Sequence, residues 1–307
     1  MKASVRVPAS TSNLGGGFDC VGVAVDRWLT ASVVASEDGD SRRVTMNRSG
    51  ALANLDEPPE RDLLHKGFTL VCELRERPVP KLLDYDVSST IPVARGLGSS
   101  SAALIAGAML ANESLGLDLE RDEIAALCAH EEGHADNIGP AVFGGAVLGV
   151  RTKERKYAFS SLELHPEIAL VFAVPELEIA TSIARAVLPA SLPYATTVMA
   201  IAKSAALVQG LRTRDGALLA YALDDVLHVP YRRELLPGYD SVVAAAVGAG
   251  AFGATLSGSG SAIVAVAPID TASQIGSAMQ RRWSEMSKGA EVIIGAKPVG
   301  GATSNVT

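Results

Sequence analysis

Ile91–Ala103 reads IPVARGLGSSSAA: an apolar lead, a glycine pair at Gly96 and Gly98, three serines, then the start of an alanine-rich apolar stretch. Glycine lets a backbone pass close to a bound anion, and a helix starting at the serines would present unpaired N–H groups and the positive end of its dipole. The stretch outlines a phosphate cradle between a strand and a helix. It is not a Walker A loop, because no lysine follows the glycines and the nearest in sequence are Lys81 and Lys153. It is not a G-x-G-x-x-G dinucleotide loop either, because Ser101 stands where the third glycine would be. A tight strand-to-helix connection would use the same residues.

Working outward, Val87–Pro92 reads as the strand before the loop and Ala102–Leu115 as a buried helix that stops near Gly116. Asp122–Glu131 is a second helix and Ala146–Val150 a strand. Ahead of the loop, Ala3–Pro8 is a short strand, Ser10–Gly17 is turn-rich, and Val21–Val25 and Leu29–Ala35 are strand-like. Residues 36–62 are polar, carry Pro58 and Pro59, and read as turns and an exposed connection before a helix over Leu63–Glu76. The charged run Arg151–Lys156 marks a boundary between domains at 1–155 and 156–307. The second half opens with an apolar strand at Glu167–Val174, followed by helical patterns over Thr181–Val187, Tyr194–Gly210, Ala217–Leu227 and Tyr239–Ala249. Two strand-like runs, Ala251–Leu256 and Ala262–Ala267, flank Ser257-Gly258-Ser259-Gly260 as a hairpin. A helix over Thr271–Ser287 and a strand over Glu291–Ala296 complete helices laid on a small, mostly antiparallel sheet, and 300–307 reads as a frayed tail.

A chain of 307 residues, 48% hydrophobic and 20% charged, can bury the cores of two such domains. Its net charge of −7 offers no overall field for nucleic acid or an anionic membrane, so positive charge for an anionic ligand must be local. No stretch reaches the roughly 18 apolar residues of a membrane span, and the opening MKASVRVPAS has no apolar signal core. The three cysteines, Cys20, Cys72 and Cys128, have no metal-site or disulfide spacing, and a reducing cytoplasm is the expected location.

Three further groups of residues suggest chemistry. Asn13 and Asp19 bracket the glycine run 15–17, where they could bind a small polar ligand, although such a loop can equally be a long turn. His130-Glu131-Glu132-Gly133-His134 matches the H-E-x-x-H of zinc hydrolases, but Gly133 and Pro140 break the helix that would have to hold both histidines. The competing reading makes Glu131 or Glu132 a magnesium ligand and His134–Asn137 a substrate-binding turn. Arg185 and Arg232 are candidates for gripping a carboxylate with the guanidinium fork.

Three stretches, PASTSNLGGGFD at 8–19, IPVARGLGSSSAA at 91–103 and GATLSGSGSAIVAV at 253–266, resemble in order and spacing the three motifs of the GHMP kinases. The opening motif, EGHADN at 132–137, Thr181 with Arg185, and PYRRELLPGY at 230–239 resemble the homoserine kinase branch. The resemblance covers nearly the whole chain. It implies an α+β, two-domain fold: an N-terminal domain like domain 2 of ribosomal protein S5 and a ferredoxin-like C-terminal domain, with ATP between them. It further implies Mg2+-dependent transfer of the γ-phosphoryl group to the side-chain hydroxyl of L-homoserine in threonine biosynthesis, and a homodimer. Carried over by position, Arg95, Gly96, Leu97, Gly98, Ser99, Ser100 and Ser101 would wrap the triphosphate. Gly258, Ser259 and Gly260 would support that loop, and Ser100 and Glu132 would hold the metal. His134, Thr181, Arg185 and Arg232 would bind homoserine, with both arginines on its carboxylate, Asn13 and Asn137 would be catalytic with Asp19, and Asp19 would lie near the polar end that reacts or near the ammonium. Gly16 and Ala135 stand where the family usually has proline, which alters loop stiffness more than polar contacts.

Overall fold

β1 (Lys2–Asn13) and β2 (Gly17–Ser36) form a long antiparallel hairpin around a turn at Leu14–Gly16. The computed structural model of the chain describes residues 1–38, 41–154, 156–286, 289–295 and 299–306. β2 absorbs both strand-like runs expected at 21–25 and 29–35, because a register shift at Pro8 and Ala9 lets one bent strand continue through Asp26 and Arg27. There follow β3 (Arg43–Gly50), α1 (Leu63–Leu74), β4 (Leu82–Ser89), α2 (Ser99–Leu115), α3 (Arg121–Glu132), α4 (Ile138–Phe143), β5 (Ala146–Arg151) and β6 (Tyr157–Leu162). The second half holds β7 (Ile168–Pro175), α5 (Thr181–Ala186), α6 (Tyr194–Thr213), α7 (Gly216–Leu223), α8 (Val229–Arg232), α9 (Tyr239–Gly248), β8 (Gly253–Leu256), β9 (Ile263–Pro268), α10 (Ala272–Glu285), β10 (Ala290–Gly295) and β11 (Thr303–Val306).

The first sheet runs β11–β1–β2–β4–β3, and the edge of β2 away from β1 serves two neighbours: Leu29–Ser36 pairs with β4 and Val21–Val23 with β5. α2 is its central helix, with Leu104, Ile105, Ala106, Ala108 and Leu110 all buried, so it lacks the one-sided pattern of a surface helix. α1 crosses α2 at Gly67 and Gly107, where a Cβ on either glycine would run into the backbone of the other helix. The second sheet, β10–β7–β9–β8, is wholly antiparallel. All eight positions of β7 are buried: one face joins the large core, and the other packs under α9 and α10 with Trp283 and Met279.

Three expectations need correction. Residues 36–62 are not just an exposed connection, because β3 lies parallel to β4 with α1 as the crossover; as an edge strand with no fully buried residue, its RVTMNRSG shows no apolar alternation. The strand before the phosphate loop ends at Ser89, earlier than expected. The tail is not frayed: Thr303–Val306 pairs antiparallel with Ala3–Arg6, and Ser304 Oγ donates to Glu113 at 2.8 Å. The expected division falls at residue 155, outside the described residues, and the strands on either side, β5 and β6, pair with each other. The ends expected for the last long helix and the following strand, 287 and 296, and residue 307 of the tail also lie outside them. No helix among the described residues is long and apolar enough to cross a membrane.

Candidate active site

Gly98 caps α2 in the left-handed conformation (φ 69°), which only glycine adopts without strain, and the loop before it turns through Gly96 at φ 74°. The first helical bond runs from Ala102 N–H to the Gly98 carbonyl, so the amides of Ser99, Ser100 and Ser101 stand free of helical partners. A second loop fixes the first from behind. Ser257 Oγ donates to the Gly96 carbonyl at 2.6 Å, and Ala262 N–H donates to the Arg95 carbonyl at 3.0 Å. Thr11 and Gly258 N–H tie the second loop back to β1, through Ser257 Oγ at 2.8 Å and the Ser12 carbonyl at 3.1 Å. The result is a rigid, amide-lined cradle facing a cleft of about 680 Å³.

At one end of the cleft the walls are apolar: Met46 of β3, Leu52, Leu55, Leu63 and Leu64 around the start of α1, and Val87 of β4. Asp62 shapes this end by accepting from Leu64 N–H at 2.8 Å as the N-cap of α1 and pairing with Arg48 at 2.7 Å. At the other end the walls are polar. Asn13, at φ 74°, donates to the Gly258 carbonyl at 2.9 Å and accepts from Asp19 N–H at 3.0 Å. Asn137 is gripped by two β1 serines: its amide oxygen accepts from Ser10 Oγ at 3.0 Å and its Nδ2 donates to Ser12 Oγ at 3.1 Å.

Asp19 takes both arms of Arg185, at 2.8 and 3.2 Å, so in this structure that guanidinium is engaged by a carboxylate of the protein itself. Burial works against the charge of Arg185, but the hydrogen bond and charge of Asp19 outweigh it and raise its pKa. Arg232 differs. It is 2% exposed, donates to the carbonyls of Ala184 and Gly258 at 2.9 and 3.4 Å, lies over Phe18, and forms no ion pair with a carboxylate among the described residues. Burial first, and the neighbouring Arg185 charge second, push its pKa down to about 10. A buried cation without an anionic partner is suited to receive a carboxylate.

Glu131 and Glu132 point in different directions. Glu131 pairs with Lys66 on the outside of α1. Glu132 faces the phosphate loop, where its carboxylate accepts from Ser101 Oγ at 2.7 and 2.8 Å and from Ser100 Oγ at 3.3 Å. Burial raises the Glu132 pKa, against the opposing charge of His134 and the serine hydrogen bonds. His134 meets Asp136 at 2.7 Å; burial disfavours its charge, yet the Asp136 hydrogen bond and the charges of Asp136 and Glu132 prevail and hold its pKa up to about 9. Gly133 ends α3 at φ 82°, which leaves His130 exposed on the helix and turns His134 into the cleft. The two histidines therefore do not share a helical face as H-E-x-x-H chemistry requires, and among the described residues no three or more His, Cys, Asp or Glu side chains are grouped so that they could hold a metal ion.

Of the residues singled out from the sequence, Asn13, Asp19, Arg95–Ser100, Glu132, His134, Asn137, Thr181, Arg185, Arg232, Gly258 and Ser259 line this one cleft. Ser101 lies beneath it and acts through Glu132, and Gly260 and His130 are not in its wall. Sequence reasoning missed the whole apolar end, whose residues lack any period. Asp136 lay within the expected substrate-binding turn His134–Asn137, but its pairing with His134 was not foreseen, and neither were the roles of the serines Ser10, Ser12 and Ser257, which only the fold brings to the site.

Residues 63–145 match the GHMP kinases N terminal domain family and residues 207–285 the GHMP kinases C terminal family. The chain is 36% identical over 283 residues to the homoserine kinase of a Synechococcus strain, spanning 92% of this chain and 91% of that protein. It is 39% identical over 292 residues to the homoserine kinase of Gloeobacter violaceus, spanning 91% and 92%. Among solved structures, the homoserine kinase of Cytophaga hutchinsonii superposes with a TM-score of 0.86 at 27% identity, over 99% of this chain and 97% of that one. The mevalonate diphosphate decarboxylase of Staphylococcus aureus superposes with a TM-score of 0.75 at 13% identity, over 99% and 98%, a likeness of fold alone.

Proposed function

The chain belongs to the homoserine kinases of the GHMP kinase family, and from that premise we propose how its cleft carries out the transfer of the γ-phosphoryl group of ATP to the side-chain hydroxyl of L-homoserine. One observation carries the proposal: the amide cradle at the head of α2 and the buried, carboxylate-free Arg232 open onto the same cleft, with an apolar chamber on the far side of the cradle. The adenine base fits the chamber beside Met46 and Leu52, and the triphosphate fits the cradle from Arg95 to Ser100. Homoserine then lies at the polar end, its carboxylate on Arg232. Arg185 joins that grip to the extent that the incoming carboxylate competes with Asp19. The two domains of the proposal, 1–155 and 156–307, share the work, with β6 and β11 adding to the N-terminal sheet from beyond the division.

Phosphoryl transfer asks for alignment and for stabilisation of charge on the equatorial oxygens more than for a strong base. Asn13 and Asn137 are fixed by β1 and by the Gly258 carbonyl, which suits them to orient the acceptor hydroxyl. Asp19 has both oxygens occupied by Arg185, so it orients and balances charge and is not assigned as a base. The donor set at Ser100 and Glu132, a buried carboxylate and a hydroxyl, is the hard-oxygen pair that Mg2+ takes alongside phosphate oxygens and water. When bound there, Mg2+ would supply charge neutralisation for the phosphates.

A coupled ADP-release assay across L-homoserine, L-threonine, L-serine, mevalonate and shikimate tests the reading. L-homoserine should lead every other acceptor in kcat/KM by about 100-fold or more, because the others misplace either the hydroxyl or the carboxylate. A clear preference for another alcohol would defeat the acceptor assignment, and no ADP release with any of them would defeat the kinase reading.

A further inference from the structure

Arg232 is supported from behind by two buried groups that belong to none of the motifs. His228 is fully buried one helical turn before Arg232, and its Nδ1 lies 3.3 Å from Arg232 NH1. An arginine only donates, so Nδ1 accepts, which puts the imidazole proton on Nε2 and requires a neutral ring. Burial outweighs the opposing pull of Asp225 and, with a smaller push from the Arg232 charge, brings the His228 pKa down to about 4, consistent with that state. The ring stacks on Phe18 with centroids 4.9 Å apart and planes 20° apart, in the residue next to Asp19. Asp225 sets the backbone that carries the ring. Its Oδ2 accepts from the N–H groups of Leu227, His228 and Val229 at 3.0, 2.6 and 2.7 Å, and it lies 3.8 Å from His228 Nε2.

A guanidinium can rotate about its own stem, and a carboxylate clamp works only when its fork is held in plane. In Arg232, Nε is fixed by the Ala184 carbonyl, and NH1 by His228 at 3.3 Å together with the Gly258 carbonyl at 3.4 Å. We propose that His228, oriented by Asp225, is a positioning residue for homoserine binding, its Nδ1 aiming the Arg232 guanidinium at the acceptor's carboxylate. The proposal rests on the homoserine kinase reading and deepens it by assigning the support of the acceptor clamp.

Two substitutions separate the acceptor atom from the ring. His228→Asn keeps an amide oxygen near the place of Nδ1 and has no ring, whereas His228→Phe keeps the ring on Phe18 and has no acceptor. Steady-state kinetics with each substrate varied in turn should show the homoserine KM raised about tenfold in His228→Phe and within about threefold of wild type in His228→Asn, with the ATP KM within about twofold in both. KM is read from whatever fraction of a variant folds, so reduced yield does not obscure it. His228→Gln, whose amide cannot reach the Nδ1 position, stands in for the phenylalanine variant if that one is inactive, and should match its homoserine KM. A homoserine KM that follows the ring, rises equally with and without the acceptor, or does not move overturns the proposal. A wild-type enzyme that fails to turn over homoserine defeats the reading beneath it instead.

Discussion

Asp136 holds His134 as an imidazolium well above the pH at which a free histidine loses its proton. The folded-state pKa of about 9 lies above the ordinary 6.5, so the pairing stabilises the fold in full below pH 6.5 and is lost as pH rises through 9. The contribution is up to about 3 kcal/mol, several degrees of Tm in a chain of this size. Thermal melts at steps from pH 6 to 9.5 should show wild type losing stability relative to His134→Gln across that window. Parallel curves would show that the Asp136 pairing does not operate in solution. At this scale the sequence was legible where a polar side chain sat beside a glycine turn, as Asn13 and Asp19 do around 15–17 and Glu132 does before Gly133. The partner of Arg185 was not, because Asp19 lies 166 positions away and nothing local signals that the two guanidinium arms are already taken.

The phosphate loop depends on two elements meeting at their backbones. A Cβ on Gly96 would collide with the Ser257 carbonyl oxygen and come within 2.9 Å of the Gly260 nitrogen, at a φ of 74° that disfavours any side chain. Backbone atoms cannot swing aside as a side-chain tip can. Gly96→Ala should therefore destabilise the fold by about 2–4 kcal/mol and raise the ATP KM about tenfold or more, read from urea unfolding and from ATP-varied kinetics. A variant with unchanged ATP KM would show that the two loops do not work as one unit. Gly16 meets a similar wall, the backbone of Lys203 on α6, so the missing side chain there lets a helix lie directly on the turn. The loops and α2 were legible because glycine and buried alanine carry strong local signals. β3 was not, because an edge strand in a parallel pair gains its partner through a crossover and needs no apolar alternation of its own.

Across the molecule, the first sheet is completed by residues from the far end of the sequence. β11 covers the outer edge of β1, Ser304 bonds Glu113 on α2, and Arg121 at the start of α3 donates to the Ala302 carbonyl. Removing residues 303–307 should lower Tm by about 3–8 °C, from the lost ladder and the exposed β1 edge, while the cleft keeps its residues and the KM values stay near wild type. An unchanged Tm in differential scanning fluorimetry would mean that the strand adds nothing to the sheet. This long-range closure was the least legible feature of all, since a short polar segment gives no hint of a partner 300 positions away. A polypeptide made from its N-terminus leaves the ribosome with the outer edge of β1 lacking its neighbour until residues 303–306 have been added. The first half of the enzyme must therefore spend translation with an open hydrogen-bonding rim, a time when a chaperone or a stray strand has something to hold.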